Sequence, residues 1–155
     1  MTELVVHESD RRFQTNDRWK QVRARLANSR DVPDLKEIML DSGVKLPDFD
    51  WGQLEPYWII AHDRERAVAA CQLCYGKPFA QIVFIEALRG EPQRTRAIAV
   101  KKMLVLAAEL AARTGAQFLG GAVSKRMNTF RDILAGRGSI TVGPATMMLF
   151  DVRKA

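Results

Sequence analysis

A chain of 155 residues, 47% of them hydrophobic, can bury one full core and is too short for two comfortable domains. Its formal charge of +6 favours anionic partners as a class, whether a phosphorylated cofactor, nucleic acid or an acidic protein surface. No apolar run reaches the roughly 20 residues that a membrane-crossing helix needs, so a helical membrane span is not expected.

Residues 1–18, "MTELVVHESDRRFQTNDR", are mostly polar with one apolar patch at Leu4 to Val6, and they read as an arm preceding a single domain over 19–155. The acidic, interrupted start lacks the pattern of a signal peptide, so the expected setting is reducing and cytoplasmic. From Trp19 the segment "WKQVRARLA" alternates. Val22, Ala24 and Leu26 share one face and Arg23 and Arg25 the other, which predicts a half-buried strand. "NSRDVPDLKEIMLDSG" predicts a helix: Asn28 or Ser29 caps it, Pro33 sits in the first turn, Leu35, Ile38 and Met39 form the buried stripe, and Gly43 ends it. Pro47, Gly52 and Pro56 then break the chain into a loop with a short helix at Trp51 to Glu55.

Three apolar runs, "YWIIAHD", "AVAACQLCYG" and "AQIVFIEAL", predict a meander of antiparallel strands. Both faces of the third run are apolar, so it is expected to be central and covered on both sides. Cys71 and Cys74 lie inside the second run. A redox pair needs its first cysteine at a helix start and a zinc site needs four ligands, so both thiols read as small core residues and no metal site is expected. After "RGEPQ", a helix from Thr95 to Arg113 carries only Lys101, Lys102, Glu109 and Arg113 as charges past Arg96, so most of its circumference is buried, and Thr114-Gly115 caps it. "AQFLGGAV" predicts a strand. "SKRMNTFRDILAGRG" predicts a helix from Ser124 to Gly136 or Gly138, and "SITVGPATMMLFDVRK" a bent strand or hairpin.

This order, with the "VRARLANSRDVPDLKEIMLDSG" entry, a long helix after the central strand and the late "NTFRDILAGRG", resembles the GNAT superfamily of N-acetyltransferases from about Val22 to Phe150. The resemblance implies an α+β fold whose mixed, mostly antiparallel central sheet has helices on both faces. It also implies acetyl-CoA as cofactor and direct acyl transfer to a small-molecule or protein amine. The family's Arg/Gln-x-x-Gly-x-Gly/Ala loop, whose backbone N–H groups and helix start hold a pyrophosphate, matches Arg94, Thr95, Arg96, Ala97, Ile98 and Ala99. Leu88, Arg89 and Asn128 complete the cofactor-binding set that the resemblance implies.

Two departures weigh on that reading. Ala97 replaces the middle glycine, adding a methyl group where the backbone should approach the phosphates. The late helix has no tyrosine after Asn128 to protonate the leaving thiolate. By resemblance the general base is Glu86, the one acidic residue of its run, although Glu86 at a strand end is equally placed to pair with Arg89 or Arg94. His62 and His7 are the alternatives.

The charge excess fits a phosphate ligand, since residues 89–102 hold five basic side chains and one acidic. A second reading keeps the fold and drops the chemistry. The lost Gly and Tyr, the basic second half and the polar arm fit an assembly protein with protein partners. Residues 79–150 also resemble small acetyltransferase-like proteins carried in the virions of tailed bacteriophages, which would place the chain in a virion. Nucleic-acid binding ranks last, because the aromatic residues are few and do not interleave with the basic ones. Homo-oligomer formation is left open.

Overall fold

The computed structural model describes residues 17–43, 57–122, 140–142 and 147–151. The expected helices at Trp51 to Glu55 and around Asn128, and arm residues 1–16, lie outside the described residues. A short helix α1 (Asp17–Gln21) leads into β1 (Val22–Leu26), a 3-10 turn (Ser29–Asp31) and α2 (Val32–Asp41). The strands β2 (Trp58–Asp63), β3 (Arg66–Cys74) and β4 (Phe79–Ala87) follow, then α3 (Gln93–Arg113), β5 (Phe118–Ala122), β6 (Ile140–Val142) and β7 (Met147–Asp151).

Among the described residues seven strands form one sheet in the order β1-β2-β3-β4-β5-β7-β6. Every neighbouring pair is antiparallel except β4 and β5. The meander is as expected, and the last predicted segment resolves into the β6–β7 hairpin. On one face, α3 buries Ile98, Ala99, Met103, Ala107 and Ala111 against Ile59, Val68 and Cys71 of the sheet. On the other, Leu35, Ile38 and Met39 of α2 pack on Trp58, Ile60 and Ala70. The architecture is thus α+β, with helices on both faces of a mixed sheet.

Local chemistry explains the helices. Asn28 accepts the Arg30 N–H while Asp31 accepts the Asn28 N–H, a reciprocal capping box at the three-residue spacing such boxes require. Pro33 then enters the first turn of α2, where its missing N–H costs nothing. Leu35 and Ile38 are fully buried, each stabilising the fold by about 2 kcal/mol. Gly43 and Gly115 close α2 and α3 with φ of +86° and +87°, the left-handed geometry that glycine adopts without strain.

Two expectations are corrected. The first strand does not start at Trp19, because Trp19 to Gln21 are the end of α1 and β1 begins at Val22. The reason is tertiary: the Lys102 ammonium of α3 donates to the carbonyls of Trp19 and Val22 and lies 4.7 Å over the Trp19 ring, holding the segment as a turn of helix. Leu26, expected inside, is 45% exposed at the end of this edge strand. The second correction concerns β4, which is central but not covered on both sides, since Phe79, Gln81 and Val83 are exposed.

Candidate cofactor site

The α2-side core reaches Phe84 and Leu88 but not Phe79, Gln81 or Val83, and the change falls at a β-bulge. Gln72 of β3 pairs with Phe84 and Leu73 with Ile82, so Val83 is an extra residue with no partner in that register. A single insertion reverses the parity of everything after it. Ala80 and Ile82 point into the α3-side core before the bulge, and Ile85 and Ala87 do so after it, a spacing of three across the join instead of two. Val83 is left 53% exposed.

The parallel ladder to β5 ends at the same place. Its rungs run from Phe79↔Phe118 to Ile82↔Gly121, and the β4 residues beyond Ile82 have no β5 partner among the described residues. The sheet therefore opens between β4 and β5 at the bulge. Past this point the β4 backbone offers peptide groups that no neighbouring strand among the described residues takes up on that side.

Beyond Ala87 the chain turns through residues 88–92. Leu88 N–H donates to the Val68 carbonyl at 2.8 Å, Arg89 N–H to Asp41 Oδ2 at 2.9 Å and Glu91 N–H to the Leu88 carbonyl at 3.1 Å. Arg66 and the buried Glu91 form a salt bridge of 2.8 Å. Pro92 is the N-cap of α3 and donates nothing, so the first turn begins at Gln93 and its opening N–H groups have no carbonyl within the helix to bond. This terminus favours negative charge, and no acidic residue occupies its first turn.

The six residues matched to the phosphate motif fall inside α3. Arg94 is exposed, Arg96 and Ala97 are half-buried, and Thr95, Ile98 and Ala99 are buried. Thr95 accepts a hydrogen bond of 2.8 Å from Arg18, and Ile98 and Ala99 belong to the core. The Arg96 Nε is buried with no hydrogen-bond partner. A loop in the sequence pattern is thus a helix in the structure, preceded by the true loop at 88–92. Arg89 lies in that loop, and Leu88 packs at its start against the α2-side core.

Glu86 pairs across the ladder with Ala70, part of the α2-side core, and shares its parity with Phe84 and Leu88. It therefore stands on the α2 face of the sheet, past the bulge. Glu86 lies near the end of β4, Leu88 and Arg89 in the loop that follows, and Arg94 to Ala99 in the first turns of α3, while Asn128 lies outside the described residues.

A separate polar cluster occupies the α2 side. Arg25 donates two hydrogen bonds of 2.7 Å to the two carboxylate oxygens of Asp31, and that guanidinium holds the Asp31 carboxyl below the ordinary carboxylate range. His62, the alternative base, has oxygen neighbours in Asp31 and Asp34, with all three groups' ligating atoms within 4.8 Å of one another. Burial, aided by the Arg25 charge, lowers the His62 pKa and favours neutral imidazole. Sequence reading missed this cluster and the Arg18–Thr95 contact, since both join residues far apart in the chain. The Asn28/Asp31 capping spacing was the available signal for the placement of Asp31.

No protein-family model matches the sequence, and no curated protein does. Solved structures do. A GNAT-family acetyltransferase from Staphylococcus aureus Mu50 superposes with a TM-score of 0.64 at 12% identity, covering 84% of this chain and 99% of that one. The fold is that of the GNAT acetyltransferases. Diaminobutyrate acetyltransferase from Paenibacillus lautus, solved with its substrate L-2,4-diaminobutyric acid and coenzyme A, gives a TM-score of 0.61 at 17% identity, covering 83% and 92%. N-acetylglutamate synthase from Neisseria gonorrhoeae, complexed with coenzyme A and L-arginine, gives 0.66 at 12%, covering 84% of this chain, which spans 33% of that longer one. In the GNAT fold seen here, the β4 bulge, the opening to β5 and the start of α3 adjoin one another.

Proposed function

We propose that the chain is an acyl-CoA-dependent N-acyltransferase, with acetyl-CoA as donor and an amine as acceptor. The observation that carries the reading is the coincidence at Val83: the bulge in β4 and the end of its ladder with β5 open the sheet just before the N-terminus of α3. The residues fit such a cofactor. A buried, partnerless Arg96 Nε and a helix start without acidic side chains suit an anionic group. The CoA and amine ligands of the structural neighbours support the same class.

Bound at this site, the cofactor supplies an activated acyl carbonyl. Arg89, Arg94 and Arg96 with the first-turn N–H groups of α3 would bind its phosphates, and Leu88 would border the loop that turns toward them. Backbone N–H groups of β4 around Val83 would polarise the carbonyl, preorganised by the strand and costing no reorganisation. Glu86 would accept the proton of the attacking amine from the α2 face, directly or through water. Transfer is direct, so positioning carries much of the rate and a missing tyrosine need not abolish it.

One observation favours a second reading, a fold kept for assembly without chemistry, as in a virion component. Ala97 lies within the helix, and Thr95, Ile98 and Ala99 of the motif are committed to a hydrogen bond and the core. Thermal shift with acetyl-CoA separates the two. A raised melting temperature that scales with ligand supports the enzyme reading, and no shift at millimolar acetyl-CoA sinks it.

A further inference from the structure

Past Leu88, the loop at residues 88–92 is held by polar ties more than by packing. Between it, α2 and the β2–β3 hairpin lies a recess of about 730 Å³, bordered by Asp41, Glu65, Leu88, Gly90 and Glu91, so much of the loop stands clear of α2. Gly90 imposes no shape on it, since it takes no left-handed φ and a Cβ built there would meet nothing within 4 Å. Two carboxylates tie the loop to the rest of the molecule. The buried Glu91 accepts a bond of 2.8 Å from Arg66 of β3, and Asp41 Oδ2 accepts the Arg89 N–H at 2.9 Å from 48 residues away in the chain.

Asp41 is poorly placed for helix stability. It is the last residue of α2, where the helix dipole disfavours negative charge, and no basic side chain in that turn offsets it. Its carboxylate forms no ion pair among the described residues, although the chain carries 24 Lys and Arg. The bond to the Arg89 peptide is the contact that accounts for it. That peptide carries an exposed guanidinium, one of the three assigned above to phosphate.

We propose that Asp41 is a positioning residue for the cofactor, holding the Arg89 peptide and so fixing the direction of the Arg89 side chain and the path of the loop into α3. The inference rests on the acyl-CoA reading and adds to it a residue of α2 that acts through Arg89. Small misplacements of a binding group weaken its contacts steeply, which gives one exposed hydrogen bond its leverage. The sign of the effect sets positioning apart from bulk charge. A carboxylate beside a loop that receives phosphate repels the ligand, so loss of the charge alone would tighten binding, whereas loss of the tie weakens it.

Calorimetric titration of the full chain, of Asp41→Ala and of Asp41→Asn with acetyl-CoA tests this. Asp41→Ala should weaken binding about ten-fold, the scale of one charge-assisted hydrogen bond. Asp41→Asn keeps an acceptor oxygen and should restore most of the affinity. Neither should lower the melting temperature of the free chain, because the Arg89 N–H is open to water and the helix end loses an unfavourable charge. Equal affinities in the two variants, or tighter binding by Asp41→Ala than by the native chain, overturn the proposal while the acyl-CoA reading stands. If the native chain binds no acetyl-CoA, both fall together.

Discussion

Ile82 and Gly121 form the last rung of the parallel ladder, and a Cβ built on Gly121 would stand 3.1 Å from the Ile82 carbonyl oxygen. That is too close for comfort against a rigid backbone, so a side chain there must push β5 away from β4 at the point where the sheet opens. Gly121→Ala is expected to destabilise the fold by about 1–2 kcal/mol, read from urea unfolding. An unchanged midpoint would show that β5 shifts freely.

Acid should weaken the fold in two steps. Burial lowers the folded pKa of His62 below its unfolded value of about 6.5, so stability present above that pH declines as the unfolded state takes up a proton first. The Arg25 hydrogen bonds lower the folded pKa of Asp31 below about 3.9, so its contribution is present above that pH and lost on further acidification. Urea midpoints measured from pH 7 to 3 should show both declines. His62→Gln should remove the upper one and Asp31→Asn the lower. Asp31→Asn also weakens the capping box, so at pH 7 it should cost about 2 kcal/mol.

Cys71 is fully buried, and desolvation pushes its thiol up to about 12, whereas Cys74, three residues on at the end of β3, is half-buried. At pH 8 the native chain should react with a disulfide reagent at no more than one thiol. The second should appear only when denaturant is added.

Ala97 and Arg96 separate helix stability from ligand affinity. A glycine inside α3 costs about 1 kcal/mol against alanine, so Ala97→Gly should lower the melting temperature of the free chain. Acetyl-CoA should nevertheless bind it more tightly if the methyl group crowds the phosphates. Arg96→Ala should weaken binding about ten-fold with little loss of stability, since its Nε has no partner to lose. Titration of both variants with acetyl-CoA checks this, and the reverse order of affinities would show that the phosphate motif is misaligned.

Periodicity and caps carried most of the fold into view. Leu35, Ile38 and Met39 of α2, and the three-strand meander, follow directly from spacings that local geometry enforces. What stayed hidden was set by distant partners. Trp19 to Gln21 alternate like a strand, yet Lys102, more than eighty residues away, holds them as helix. In β4 the sequence looks apolar on both faces because two ordinary alternating halves are joined out of phase at Val83, and a pattern read across the join averages the two. The candidate phosphate motif was legible as composition but not as conformation. Pro92 starts the helix earlier than the motif alone implies, and so moves the loop to residues 88–92.

The single parallel pair also decides how the molecule can breathe. Among the described residues four rungs, Phe79 to Ile82 against Phe118 to Gly121, join the β1–β4 half of the sheet to the β5–β7–β6 half, and α3 lies mainly on the first of these. Amide hydrogens of β5 to β7 should therefore exchange with solvent through a partial opening that leaves the meander protected, a low-energy motion in which the two halves part along the β4–β5 seam.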